Sequence, residues 1–328
     1  MKDIGIAGLP YSGKSTLFTA LTRSGSAGGR SNQAVVDVPD ERLGVLADLE
    51  SSKKVVAAKV RFVDVPGGLT AQGIAEFRTT DALCIVVRAF GGDADPVKDL
   101  ASVEAELILA DLASIESGLD KARKKAKGSA EAKAEVGVLE RAHALLEEEK
   151  PLRDGGFTDP NDLKLLRGYG PLTLKPWIFV ANVEEGGELP AGLPEDAIAI
   201  SASLESEVAA VDDPEEAKEL LAGFGVEELG LDRVIRSSYR ALDLITFLTT
   251  GEDETRAWEV RQGAKAPEAA GAIHSDLERG FIRAEVVGYD ELVEAGGWDK
   301  AKATGRLRVE GKDYTVSEGD ILNIRFAV

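Results

Sequence analysis

The sequence predicts a doubly wound α/β domain with an inserted antiparallel helical hairpin and a small C-terminal α+β module. Three observations carry that expectation. A glycine-rich stretch over residues 8–16 sits between the apolar run 4–7 and the helix-like run 17–21. Short apolar segments then alternate with helix-like ones, the pattern of a parallel sheet covered on both faces. Two regions break the rhythm, residues 99–150 with helical periodicity and residues 244–328 with short strands between turns.

The opening stretch reads Gly8-Leu9-Pro10-Tyr11-Ser12-Gly13-Lys14-Ser15-Thr16, a G-x-x-x-x-G-K-S phosphate loop in a strand-before, helix-after setting. Such a loop turns successive backbone N–H groups toward nucleotide phosphates, its lysine reaches the outer phosphates, and its serine hydroxyl can ligate Mg²⁺. The motif therefore predicts a nucleoside triphosphate, ATP or GTP, bound with Mg²⁺. Leu9 through Thr16 are the candidate contacts, and Ser15 is a candidate metal ligand.

Further strand-like segments follow at residues 55–63, 81–88, 177–182 and 197–201. The first ends in Arg61-Phe62-Val63-Asp64-Val65-Pro66-Gly67, a D-x-x-G pattern. On its own that pattern is a common strand-ending turn. Placed one strand after a phosphate loop, its Asp64 can hold Mg²⁺ through water and its Gly67 N–H can meet the γ-phosphate. The strand over 177–182 runs into Asn182-Val183-Glu184-Glu185, where a GTPase carries N-K-x-D. The lysine is lost and the acid is one methylene longer, which predicts relaxed or adenine-leaning base recognition. Asn182, Val183 and Glu185 are the candidate base contacts. Ser201 and Ala202, at the end of the next strand, can bring backbone N–H groups to the base.

Within 99–150, Val103, Leu107, Ala110, Ile115 and Leu119 recur at helical spacing, Gly128-Ser129 interrupts, and the pattern resumes over 132–146. Lys121, Arg123, Lys124, Lys125 and Lys127 crowd the expected tip. A solvated helix face accounts for them as readily as contact with RNA phosphates does. The C-terminal strand candidates are residues 281–287, 305–309 and 321–326. Residues 245–328 hold 11 Lys and Arg against 16 Asp and Glu, a net charge of −5, which suits protein recognition better than nucleic acid.

At 328 residues and 44% hydrophobic content, the chain can bury more than one core. A net charge of −19 argues against broad adhesion to nucleic acid, and no DNA partner is expected. No apolar run reaches the roughly 20 residues that span a bilayer, so no membrane partner and a cytoplasmic location are expected. The lone cysteine, Cys84, excludes an intrachain disulfide and lies in an apolar run. Trp258, Arg256 and His274 fit structural roles better than catalytic ones.

Taken with Val38-Pro39-Asp40-Glu41-Arg42-Leu43, Leu174-Lys175-Pro176 and the run from Thr255 to Tyr314, these motifs resemble those of the YchF-type Obg-like ATPases. The resemblance covers nearly the whole chain. It implies a C-terminal TGS domain, an antiparallel coiled coil between the D-x-x-G and N-x-x-E motifs, ATP binding alongside GTP, and a ribosomal partner of rRNA and protein. The domain limits that follow are 1–98 with 155–243 for the nucleotide domain, 99–154 for the hairpin and 244–328 for the TGS domain. The chain also departs from the family pattern. The interval 23–36 is short and offers no threonine to complete Mg²⁺ coordination, the loop after Gly67 is trimmed, and Gly68 replaces the usual apolar residue. Ile85 stands where the family carries its suspected catalytic histidine. The expectation is a nucleotide-dependent switch that hydrolyses slowly, with no catalytic residue assigned. The alternative is an interaction protein stabilised by nucleotide that no longer cycles, and a metabolic kinase is a distant third.

Overall fold

The computed structural model describes residues 1–24, 26–27, 32–126, 130–211, 213–226 and 228–327. The chain gathers into two compact units, one of Met1–Val36 with Arg61–Val234, the other of Asp37–Val60 with Ile235–Val328. In chain order, β1 (Lys2–Ala7), α1 (Lys14–Ser24), β2 (Ser26–Ala27) and β3 (Gln33–Asp37) come first. Next are α2 (Arg42–Glu50) and β4 (Val55–Val56), which belong to the second unit. The first unit resumes within β5 (Lys59–Asp64), at Arg61, and continues through α3 (Ala71–Phe77), β6 (Ala82–Ala89), α4 (Pro96–Lys125), α5 (Ala130–Glu147) and α6 (Pro160–Arg167). It closes with β7 (Trp177–Val183), β8 (Ile198–Ile200), α7 (Ala202–Val208), α8 (Pro214–Gly223) and the start of α9 (Gly230–Ala241).

Among the described residues, the first sheet runs in the order β2-β3-β5-β1-β6-β7-β8. The pairs β1–β6, β6–β7 and β7–β8 are parallel. Strand β6 is buried from Ala82 to Val87, as its unbroken apolar sequence requires of a central parallel strand covered on both faces. Ile85 is wholly buried there, paired in register with Ala7 on one side and Phe179 on the other. Cys84 is likewise fully buried.

The run over residues 55–63 forms two strands rather than one. Val55–Val56 pairs with Thr255–Arg256 in the second sheet, while Lys59–Asp64 lies in the first. Ala57-Ala58 between them has poor strand propensity, and burial changes across the break: Val55 is half exposed, Val60 and Phe62 fully buried.

Helices α4 and α5 form the antiparallel hairpin. Asp95 caps α4 by accepting from Lys98 N at 3.1 Å, and Pro96 occupies the first turn, where its missing N–H costs nothing. Ile115, Leu119 and Ala122 of α4 pack on Val138, Leu139, Ala142 and Leu146 of α5. At the base, Asp111 is completely buried and accepts from Leu172 N (2.9 Å), Thr173 N (2.7 Å), Thr173 Oγ1 (2.9 Å) and Arg78 Nη1 (3.1 Å). Burial raises its pKa while those donors hold it down.

The second unit continues through β9 (Leu244–Thr249), β10 (Thr255–Arg261), α10 (Ala266–Ile273), α11 (Ser275–Arg279) and β11 (Phe281–Gly288). It ends with α12 (Tyr289–Ala295), α13 (Trp298–Ala303), β12 (Arg308–Glu310) and β13 (Asp320–Phe326). Its sheet runs β12-β11-β13-β9-β10-β4 and is mixed: β9–β10, β11–β12 and β11–β13 are antiparallel, β9–β13 and β4–β10 parallel. Trp258 stacks on Phe247, donates Nε1–H to Thr249 Oγ1 at 2.9 Å and carries Arg256 on its ring at 4.3 Å. His274 caps α11, its Nδ1 accepting from Asp276 N at 3.1 Å. All three residues have structural roles. Among the described residues no helix is long and apolar enough to cross a membrane.

Candidate nucleotide site

The loop from Gly8 to Gly13 turns the chain from β1 into α1, and two of its glycines are required by close approach. A Cβ on Gly8 (φ +153°) would stand 2.2 Å from Val86 O, and one on Gly13 (φ +92°) would stand 2.0 Å from Asn182 Nδ2. Tyr11 holds a left-handed backbone (φ 67°) that costs a non-glycine residue about 1 kcal/mol, and its ring is 90% exposed. Pro10 is exposed beside it.

Asn182 is the latch of this site. Its Nδ2 donates to Ser12 O at 3.0 Å and its Oδ1 accepts from Ala202 N at 3.0 Å. One buried amide thus joins the phosphate loop, the end of β7 and the start of α7. The latch uses one of the two Nδ2 hydrogens and one of the two Oδ1 lone pairs, so it stands beside the base-contacting role that the sequence predicts for Asn182. Ser201 caps α7, its Oγ accepting from Leu204 N and lying 3.0 Å from Ser203 Oγ.

Lys14 Nζ donates to Leu9 O at 2.5 Å, folding back over its own loop. Burial lowers its pKa, with Asp64 opposing, and burial raises that of Asp64, with Lys14 opposing. Asp64 is the last residue of β5, and Lys14 opens α1. Ser15 is exposed in the first turn of α1, and Ser12 Oγ is buried without a hydrogen-bond partner among the described residues. Gly67 (φ 81°) and Gly68 (φ 53°) carry the chain through a tight turn closed by Gly68 N to Val65 O at 3.1 Å.

A cleft of about 500 Å³ opens beside the loop, lined by Gly13, Thr16, Phe90, Asn182, Val183, Glu184, Glu185, Ala202 and Ser203. Six of these were legible as site residues in the sequence. Phe90, Glu184 and Ser203 were not. Phe90 lies just past the end of β6, at the carboxyl edge where ligands bind in open α/β sheets, and that position was the available signal. Glu184 Oε1 accepts from Gly91 N at 3.1 Å and ties the β6 and β7 ends together, while Glu185 lines the cleft beside it.

The residues fit a nucleotide with Mg²⁺. The donor set is loop amides, one ammonium, one hydroxyl and one carboxylate, the hard oxygen and N–H groups that phosphates and Mg²⁺ prefer. Gly8 and Gly13 keep the backbone bare where a side chain would fill the cradle.

The hairpin tip lies apart from the cleft in sequence. Lys121, Arg123, Lys124 and Lys125 are exposed on the last turns of α4, where positive charge also suits the helix C-terminus. Arg123 pairs with Glu140 at 2.8 Å. Lys127 lies outside the described residues.

A parallel sheet, a glycine loop entering a helix, and an asparagine latch over that loop define a P-loop protein of the nucleotide-binding class. Residues 244–327 match the family model YchF-GTPase_C, described as a protein of unknown function (DUF933). The chain is 40% identical over 360 aligned positions to the Haemophilus influenzae protein named ribosome-binding ATPase YchF, and 39% identical over 363 to that of Bacillus subtilis; each match covers 99% of both proteins. The structure of the Schizosaccharomyces pombe YchF GTPase superposes with a TM-score of 0.89 at 31% identity, covering 99% of this chain and 97% of that one. The chain belongs to the YchF family. Those alignments are longer than the 328 residues of this chain, so the relatives carry segments that it lacks.

Proposed function

We propose that this protein binds ATP or GTP with Mg²⁺, hydrolyses it slowly, and uses the bound nucleotide to control association with the ribosome. The observation that carries the reading is the Asn182 latch, which holds the phosphate loop against the mouth of a cleft of about 500 Å³, large enough for a nucleotide. Loop amides of residues 9–16 and the Lys14 ammonium hold the phosphates, and Gly67 N–H meets the terminal one. Phe90 offers an aromatic face and Glu185 an acceptor to the base. Asn182 acts on the base through the backbone it fixes, with Val183 and Ala202 forming the wall.

Mg²⁺, arriving with the nucleotide, would be held by Ser15 and through water by Asp64, and would polarise the phosphoryl oxygens. Slow chemistry follows from what flanks the cradle. Gly68 has no side chain to orient a water, and Ile85 is a core residue that cannot move a proton. The ribosomal partner is supported by relatives, matched over 99% of their length, that are named ribosome-binding ATPases, and by the exposed lysines of the hairpin tip. Such a protein works in the cytoplasm, and the division into nucleotide domain, hairpin and TGS domain belongs to the same proposal.

Dissociation constants for ATP, GTP and their diphosphates, with single-turnover hydrolysis, test the site. ATP is expected to bind at least as tightly as GTP, with a chemical rate near the intrinsic scale of about 10⁻⁴ s⁻¹. A strong GTP preference overturns the reading of Glu185, and a much faster rate overturns the reading of Gly68 and Ile85. Ribosome co-sedimentation with ADP, ATP and a nonhydrolysable analogue tests the switch; equal affinities refute it, because a ligand without differential affinity shifts no equilibrium.

A further inference from the structure

The turn after Asp64 and the base of the hairpin are joined by an unbroken line of contacts. Gly67-Gly68 sits directly on α3: a Cβ on Gly73 would stand 1.9 Å from Gly68 O, so backbone meets backbone there. Leu69, Ile74 and Phe77 pack in one cluster with Val103 and Leu107 of α4 and with Leu172. Arg78 ends α3 and inserts its guanidinium into α4 and the loop after α6. Its Nη1 donates to Asp111 Oδ1 (3.1 Å) and Gly170 O (2.7 Å), and its Nη2 to Ala110 O (2.8 Å). Lys175 Nζ donates to Arg78 O at 2.9 Å and to Thr80 O, gripping the same turn from the other side.

A buried ion pair is a poor source of stability but a strict keeper of geometry, because neither charge tolerates being left alone out of water. Asp111 has no route to solvent, and its remaining acceptor capacity is taken by Leu172 and Thr173. Movement of α3 must therefore carry Arg78, Asp111 and α4 together. Close packing between Ile74, Phe77 and Leu107 prevents the strain from dissipating locally.

We propose that Arg78 and Asp111 are positioning residues that transmit the state of the Gly67 turn to the helical hairpin. The proposal rests on the nucleotide reading above and adds its route. The run from Asp111 to Lys125 is about 21 Å of helix, so a tilt of about 10° at the base displaces the lysines by about 4 Å.

Backbone hydrogen exchange on the full chain, with Mg²⁺ and either ADP or a nonhydrolysable ATP analogue, tests the route. In the wild type the two nucleotides are expected to give different protection at residues 67–74 and also, by about fivefold, at Leu172 and Thr173, whose amides donate to Asp111. In Arg78→Gln, the difference at residues 67–74 should persist with nucleotide affinity unchanged, while that at Leu172 and Thr173 falls below about twofold. No nucleotide effect at residues 67–74 in the wild type overturns the nucleotide reading and the transmission with it. An effect there without one at Leu172 and Thr173, or full transmission in Arg78→Gln, overturns the transmission alone. Should Arg78→Gln fail to fold, the wild-type comparison and Asp111→Asn, which keeps the size and one acceptor oxygen, carry the same test.

Discussion

The nucleotide cradle and the hairpin tip treat their polar groups in opposite ways. In the cradle, Asn182 spends both amide atoms on Ser12 and Ala202, Lys14 folds onto Leu9 O, and Glu184 holds Gly91. At the tip, Lys121, Lys124 and Lys125 stand exposed at helical spacings that put them on one face. The difference separates two kinds of recognition. A small ligand is met by a framework already held in place, so little ordering remains to be done on binding. On the proposed reading of the tip, a large polyanion would be met by exposed charge that acts through counterion release rather than through fixed geometry.

The sharpest way to break this comparison is Lys14→Ala. Removing the one ammonium of the cradle should weaken triphosphate binding by at least about 100-fold, measured by calorimetry, with ribosome binding lost only in its nucleotide dependence. Asn182→Ala comes next. Loss of the latch leaves Ser12 O and Ala202 N unpaired, and affinity should fall by about 10- to 30-fold as the loop loses its fixed position. A nucleotide affinity unchanged in Asn182→Ala would mean that the loop holds its shape without the latch.

Changing Lys121, Lys124 and Lys125 together to Ala should cut ribosome association by about tenfold and flatten its dependence on salt. Nucleotide affinity should not change. Unaltered co-sedimentation would remove the tip from the interface.

The smallest effect concerns an exception within the cradle's surroundings. Glu205 lies on α7, whose first N–H the latch holds: Oε1 accepts from Gly230 N at 2.6 Å, while Oε2 is buried without a hydrogen-bond partner among the described residues. Burial pushes its pKa up from 4.5 to about 7. An acid raised in the folded state contributes stability below pH 4.5 that is lost as pH rises through about 7. Glu205→Gln, neutral throughout, should therefore raise Tm relative to wild type by a few degrees at pH 8 and by less at pH 5. Equal shifts at both pH values would show that the carboxyl is not charging in that window.

How much of this was legible beforehand follows the range of the interactions. Gly8, Gly13, Lys14 and Ser15 announce themselves because a phosphate loop is a local structure with fixed spacing. Asn182 was readable as a site residue, but not as a latch, since its partners Ser12 and Ala202 lie far away along the chain. The hairpin followed from periodicity in Val103, Leu107, Ile115 and Leu119. Its anchorage did not, because Asp111 looks like any polar residue between apolar ones until Arg78, Leu172 and Thr173 fold around it. The split of residues 55–63 between two sheets was hidden for the same reason: Val55 and Val60 read alike, and only their partners differ.

Cys84 has a practical consequence. It is the sole thiol of the chain, sits in the middle of β6, and burial pushes its pKa up to about 12. At pH 7.5 only about one molecule in 30,000 would carry the thiolate even if reagent could reach it. The native protein is thus effectively silent to maleimides, and a cysteine introduced at Lys124 or Tyr11 would be labelled alone. The position of the hairpin in each nucleotide state can be followed by a single dye, on a background that needs no prior mutation.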